Sequence, residues 1–323
     1  NETSIYTPIK WIVEIVYPTM RSLGKARFIK KFSTYHPDIL IPEISSAVEY
    51  KYIRKSPDRV DSFAKITGEA LFASDMYLQG MLFAKVKPSP YASAKIKKID
   101  ISKARALTGV RAVLTGEDLN YRLGLYVVDK YILARDMVRY QGEGVAAVAA
   151  DTEEIAREAL DLIEVEYEEQ EAVLDVKRAL EKDSPLVHPE LGKYKYVEAV
   201  FSPRGGTNIV HNQKIRKGDI EKGFKEADLI VEREYTNPSV QHVPMETHVS
   251  IVKWEKGDKV TIWTSAQSPF TVRNLFCYSF GLPHNNVRVI VPYVGGGFGG
   301  KAGINLEPLT ACLSRAAGGR PVK

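Results

Sequence analysis

Apolar and polar positions organise the chain into two blocks. From about residue 58 to 170, strand-like and helix-like pieces follow one another, and Leu82-Phe-Ala-Lys-Val86 and Val145-Ala-Ala-Val-Ala-Ala150 read as buried strands. Asp151-Thr-Glu-Glu154 matches a capping box opening a helix whose apolar face is Ile155, Ala156, Ala159, Leu160 and Ile163. Glu164-Val-Glu-Tyr-Glu168 alternates as an amphipathic strand does, which outweighs a metal reading of its acids. Periodicity is then lost over residues 171–206, where Pro185, Pro189, Pro203 and Gly205-Gly206 suggest a connecting segment.

The second block, 207–323, begins with strand candidates at Leu229–Tyr235 and Val249–Trp254. A turn at Glu255-Lys-Gly-Asp258 leads into a further strand, Lys259–Thr264. Ser268-Pro269 supplies an N-cap and first-turn proline for a helix carrying Val272, Leu275, Phe276 and Phe280, closed by Gly281. Val287–Tyr293 reads as a strand that delivers Val294-Gly-Gly-Gly-Phe-Gly-Gly-Lys-Ala302, five glycines in six positions. Helical spacing resumes at Ile304, Leu306, Leu309, Cys312, Leu313 and Ala316 and stops at Gly318-Gly319. Strand, glycine loop and helix in that order suit the cradling of a ligand. Gly319–Lys323 reads as the first residues of another strand, and with no initiating Met the chain reads as a fragment or one piece of a split protein.

Length and composition narrow the class. At 323 residues the chain is long enough for two domains by the guide of roughly 150 residues each, and 44% hydrophobic residues mark an ordinary globular protein. A net charge of +5 is too small over this length to imply nucleic acid. No stretch has the length of a membrane span, which leaves a cytoplasmic location as the expectation. The only cysteines, Cys277 and Cys312, lie in helical patterns as buried thiols and cannot build a cluster or a disulfide framework. Residues 1–57 form an N-terminal extension without an assigned role, an apolar helix candidate at Ile9–Val16 followed by Arg21, Lys25, Arg27, Lys30 and Lys31 on what reads as a solvated face.

The glycine loop satisfies two phosphate patterns. Gly295, Gly300 and Lys301 fit the nucleoside-triphosphate loop, but Ala302 stands where a magnesium-holding Ser or Thr belongs. Gly295, Gly297 and Gly300 fit the dinucleotide pattern, whose acidic residue would lie past Lys323. A purely structural turn is the third reading. Gln267, at a strand-to-helix junction, can present a rigid donor and acceptor or can simply cap the loop. Gln241-His-Val-Pro-Met-Glu-Thr-His248 carries two histidines and a glutamate, though not at metalloprotease spacing, and a structural role is favoured.

Four ordered motifs change this weighing: Gln241–His248, Trp263-Thr-Ser-Ala-Gln-Ser-Pro269, Phe280-Gly-Leu-Pro283 with Val287-Arg-Val289, and Gly295–Lys301. Together with Lys65–Asp75, Ser89-Pro-Tyr-Ala92, Gly109–Thr115 and Val138–Glu143, they resemble the molybdopterin-binding subunit of the xanthine dehydrogenase and aldehyde oxidase family of molybdenum hydroxylases, over residues 58 to 323. The resemblance implies an α+β fold, with a small hammerhead-type α/β domain at 58–170 followed by the first part of a larger molybdopterin-binding domain at 207–323. It implies that Gln267 hydrogen-bonds an oxo ligand of molybdenum and that the backbone at Gly296, Gly297, Phe298 and Gly299 contacts the metal's ligands and the pterin.

The implied cofactor is molybdenum–molybdopterin, with the cytosine dinucleotide as one form of it. Iron–sulfur clusters and FAD would reside on partner chains or on sequence outside this chain. The implied partners are the C-terminal remainder of the catalytic subunit, an iron–sulfur subunit, an FAD subunit and a small-molecule substrate, an aldehyde or aromatic heterocycle hydroxylated with water-derived oxygen. The family's general-base glutamate falls beyond Lys323, so no catalytic residue is assigned here. Ala302 replaces a substrate-binding glutamate of purine-oxidising members, which argues against xanthine. A noncatalytic scaffold keeping the fold, and more distantly a nucleotide binder, are the alternatives.

Overall fold

The small side chains of residues 145–150 place a fully buried strand at the centre of the first module. The computed structural model describes Lys51, Ile53 and residues 55–323, so the helix read at Ile9–Val16 and the basic stretch from Arg21 to Lys31 lie outside the described residues. The chain divides into two units, 1–62 and 63–323, and the elements below belong to the second.

The first module contains β1 (Phe83–Pro88), β2 (Ala94–Asp100), α1 (Ser102–Ala106), β3 (Val110–Thr115), the short β4 (Arg122–Leu123), β5 (Lys130–Tyr131) and β6 (Met137–Val138), then β7 (Gly144–Ala150), α2 (Glu153–Asp161) and β8 (Glu164–Glu169). Its strands form antiparallel sheets in the orders β1-β7-β3 and β6-β2-β8, with β4 and β5 pairing apart. Every side chain from Val145 to Ala150 is fully buried. Their two-residue alternation decides what each face meets. Ala146, Val148 and Ala150 pack on Ala156 and Ala159 of α2, whereas Ala147 and Ala149 meet Leu309, Cys312 and Leu313 of a helix from the second module. On β8, Val165 and Tyr167 join the core with Ala94, Val138 and Val145, as the alternation predicts.

One boundary is corrected. Thr152, not Asp151, caps α2, its side chain accepting from Ile155 N. Asp151 is instead engaged by Arg111 and Arg320. The segment after β8 carries a short helix, α3 (Val176–Ala179), and folds back on the first module. Val128 N donates to Lys195 O at 2.8 Å, Val197 N to Tyr126 O at 2.9 Å, and Leu191 and Tyr194 bury against Val127.

The strand predicted at Leu229–Tyr235 does not form: apart from α4 (Ile220–Glu226), residues 207–249 carry no regular element, and every residue from 212 to 243 is exposed. Leu229, Ile230, Val231 and Tyr235 have strand-forming character but no strand beside them among the described residues, and a lone strand is not stable in water.

Regularity returns with β9 (Ser250–Glu255) and β10 (Lys259–Thr264), an antiparallel pair joined by a turn in which Gly257 and Asp258 have positive φ and Asp258 accepts from Trp254 Nε1 at 3.1 Å. Next, α5 (Pro269–Phe280) begins with the Ser268 cap and the proline and ends at left-handed Gly281. It crosses to β11 (Val287–Ile290), parallel to β10. Phe276 is fully buried between Trp254 and Phe280, which stabilises the module by about 2–3 kcal/mol relative to an exposed ring. The last helix, α6 (Glu307–Ala316), packs on β9 and on β7. After it, Val322 exchanges hydrogen bonds with Val252 of β9, both at 2.9 Å, while Leu82 and Ala84 bond the same terminal segment. Val322 thus bridges the two modules through isolated β-bridges to Leu82 and Val252, without forming a full strand.

Candidate functional site

Two structural features present the loop after β11: its own glycines and the side chain of Gln267. Gln267 follows β10 immediately before the Ser268 cap of α5, so its backbone is held from both sides, and its N–H donates to Lys301 O at 2.9 Å. Its side-chain oxygen accepts from Gly299 N at 2.9 Å and from Lys301 N at 3.2 Å. Two backbone donors on one amide atom identify that atom as Oε1 and leave Nε2, which has no acceptor among the described residues, as the outward donor. The contact requires glycine at 297: a Cβ there would lie 2.5 Å from Oε1.

The loop's own backbone is only partly used. Gly300 N donates to Gly297 O at 2.8 Å and Ala302 N to Gly299 O at 3.2 Å, which closes the turn. Gly296, Gly297 and Phe298, three successive residues, have N–H groups with no acceptor among the described residues. Gly297 is buried, where an unpaired N–H costs free energy. Phe298 is held at φ 53° and is 72% exposed. Successive N–H groups with alternating backbone handedness form a concavity that favours anions. The sequence-predicted contacts Gln267, Gly296, Gly297, Phe298 and Gly299 are therefore brought together. Gly299, however, spends its N–H on Gln267 and is not a free donor.

The segment 241–248 supports this loop from behind. His248 Nε2 donates to Gly300 O at 3.0 Å, and the His242 ring sits 3.2 Å from where a Cβ of Gly300 would be. Glu246 accepts from Gly295 N at 2.8 Å and from Lys301 Nζ at 2.8 Å. The structural reading of this histidine-containing stretch thereby gains its content.

Both phosphate readings are overturned. Lys301 is fully buried and ion-paired, so its ammonium cannot reach a nucleotide. α6 does not start from the loop either. It starts at Glu307, whose buried carboxylate accepts from Asn305 N at 2.7 Å and Thr264 Oγ1 at 2.6 Å. That helix N-terminus already holds its anion.

Comparison with known proteins matches both modules of the chain. Residues 201–323 match the molybdopterin cofactor-binding domain, and residues 67–171 match the a/b hammerhead domain of aldehyde oxidase and xanthine dehydrogenase. The chain is 35% identical over 268 residues to the nicotinate dehydrogenase large molybdopterin subunit of Eubacterium barkeri, covering 82% of this chain and 59% of that protein. It is 36% identical over 276 residues to a probable xanthine dehydrogenase subunit from Bacillus subtilis (strain 168), covering 84% of this chain and 35% of that one. The quinoline 2-oxidoreductase structure from Pseudomonas putida 86 superposes with a TM-score of 0.71 at 32% identity, over 85% of this chain and 35% of the other.

The chain thus carries, in order, a hammerhead domain and a molybdopterin-binding domain. The chain belongs to the xanthine dehydrogenase and aldehyde oxidase family, and it spans between about one third and three fifths of the length of these relatives.

Sequence reasoning missed the pairing of Glu246 with Lys301, because no periodicity links residues 55 apart. The one available signal was a lysine closing a run otherwise made of glycine and phenylalanine.

Proposed function

We propose that this chain forms one wall of the molybdenum–molybdopterin site of a hydroxylase acting on an aldehyde or an aromatic heterocycle. The observation that carries the reading is the set of outward donors: Gln267 Nε2 beside the unpaired N–H groups of Gly296, Gly297 and Phe298. Such a set fits the anionic oxygens and sulfurs of the cofactor, which, when bound, supplies the two-electron redox chemistry of substrate oxidation. Gln267 would orient the metal's oxo group by donating from Nε2, its own position fixed by the two donors on Oε1. The N–H groups of Gly296 and Gly297 would hold anionic ligand atoms where glycine lets the backbone come close. Phe298, exposed at the tip, would exclude water from one side of the reacting centre.

The remaining parts of the proposal concern protein outside this chain: a C-terminal remainder bearing the general-base glutamate, an iron–sulfur subunit and an FAD subunit that take the electrons, and the cytosine dinucleotide form of the cofactor. Ala302 puts a methyl group directly after the loop lysine, with no carboxylate to meet a purine. Cytoplasmic location belongs to the proposal as well. No helix among the described residues is long and apolar enough to cross a membrane.

Gln267→Glu tests the reading in the assembled enzyme. Both loop N–H groups keep an acceptor, while the outward amide becomes a carboxylate oxygen facing anionic ligands. The loss of one charge-assisted hydrogen bond, about 2 kcal/mol, corresponds to roughly 30-fold weaker cofactor retention at an unchanged melting temperature. Molybdenum and pterin content at the wild-type level would reject the assignment.

A further inference from the structure

Glu246 joins the two ends of the glycine loop. Its N–H donates to Gly295 O at 3.2 Å, its Oε2 accepts from Gly295 N at 2.8 Å, and Lys301 Nζ donates both to its carbonyl and to Oε2 at 2.8 Å. Gly295 opens the loop and Lys301 closes it. The lysine side chain is completely buried, that of Glu246 is 9% exposed, and a Cβ on Gly295 would lie 2.5 Å from the Glu246 Cβ. The loop therefore cannot change its span without opening a buried ion pair.

Stability alone does not account for this arrangement. A buried ion pair rarely improves on well-packed apolar side chains, and this one is only half satisfied: Glu246 Oε1 is buried with no partner among the described residues. What the pair does constrain is conformation. Val243, a β-branched residue at φ 45°, and Phe298 at φ 53° lie on the two segments that the pair ties together. Residues in that region persist only where their surroundings over-determine them.

We propose that Glu246 and Lys301 are a positioning couple. Without touching the cofactor, they set the span of the loop and so hold the free N–H groups of Gly296, Gly297 and Phe298 in convergence on one anionic ligand. The inference rests on the cofactor reading of the loop.

Three variants of the assembled enzyme test it: Glu246→Gln, Lys301→Arg and the double variant Glu246→Leu/Lys301→Met. For each, melting temperature, molybdenum and pterin content, and the electron paramagnetic resonance signal of half-reduced molybdenum are compared with wild type. The double variant, an apolar replacement of the pair that also leaves Gly295 N and the carbonyl of residue 246 without these partners, is expected to fold with a modestly lowered melting temperature yet retain cofactor at least about tenfold less tightly, with a shifted signal. Lys301→Arg, which keeps the charge, is expected to recover part of the loading. Should the double variant fail to fold, Glu246→Gln decides the matter, because it preserves shape and an acceptor for Gly295 while uncoupling the charge. Its expected result is a shifted signal in the fraction that remains loaded. Wild-type loading with an unshifted signal in a folded double variant, or in Glu246→Gln, would overturn the proposal and leave the pair a structural contact. Absence of molybdenum and pterin from the wild-type enzyme would instead remove the cofactor reading itself.

Discussion

Gly297 shows how tightly the candidate site is drawn. A Cβ at this position meets Oε1, Cδ and Cγ of Gln267 at 2.5, 2.6 and 2.7 Å, so the amide must move, and with it the acceptor for Gly299 N and Lys301 N. Gly297→Ala is expected to destabilise the chain by about 1–3 kcal/mol, read as a lower denaturant midpoint at constant slope, and to release cofactor. A variant with the wild-type midpoint would show that Gln267 is not clamped. Gln267 and the glycines were legible in the sequence because each sits at an interpretable junction, a strand end, a proline-marked helix start or a run of one residue type. Glu246 was not, since its role exists only through a partner distant in sequence. The thiols behave as the helical pattern predicts, buried and free. Burial pushes the Cys312 thiol up to about 12, so native protein at pH 8 should not be alkylated there, whereas unfolded protein should be. Labelling of native Cys312 at the rate of an exposed thiol would contradict the packing of α6 on β7.

One hydroxyl links α6, β9 and the terminal segment. Ser314 is fully buried, accepts from Trp254 N at 3.0 Å and donates to Arg320 O at 2.7 Å, which ties all three pieces together. Ser314→Ala strands both backbone groups and is expected to cost about 1–3 kcal/mol, measurable as a lowered melting temperature. β7 was readable because its apolar run is short, bounded by turns and made of Val and Ala, whereas β1, read as a buried strand, is only half-buried because it lies at the edge of its sheet. One acid at the start of β7 was not readable. Glu143 is 6% exposed, with its Oε2 accepting from Arg139 N at 2.7 Å, and burial raises its carboxyl above the ordinary value of 4.5. The folded chain then binds more protons than the unfolded one between the two values. Stability should therefore fall as pH rises through that interval, beginning near 4.5. Glu143→Gln should flatten this slope in denaturation series from pH 4 to 8 and be at least as stable as wild type at pH 7; an unchanged slope would reject the assignment.

Residues 212–243 are the long exposed stretch of the described chain. Every one of them is exposed, including Ile220, Phe224, Leu229, Ile230, Val231, Tyr235 and Val240, whereas the sheets on either side have closed cores. Strand-forming residues left in water are unfavourable on their own and become favourable when another strand covers them. The strand expected at Leu229–Tyr235 does not form, because among the described residues no strand lies beside it; the chain spans 59% of the nicotinate dehydrogenase subunit and 35% of the Bacillus subtilis relative. Trypsin has six targets in the exposed stretch, Lys214, Arg216, Lys217, Lys222, Lys225 and Arg233. Limited digestion of the chain alone is expected to cut there first and to leave the hammerhead domain and β9–α6 intact, because cleavage tracks the locally open population. Co-expression with the remaining part of the catalytic subunit should slow those cuts strongly without altering any in the hammerhead domain. Equal cleavage with and without that partner would mean that the stretch stays in solvent in the assembled enzyme, and the pairing argument would fail.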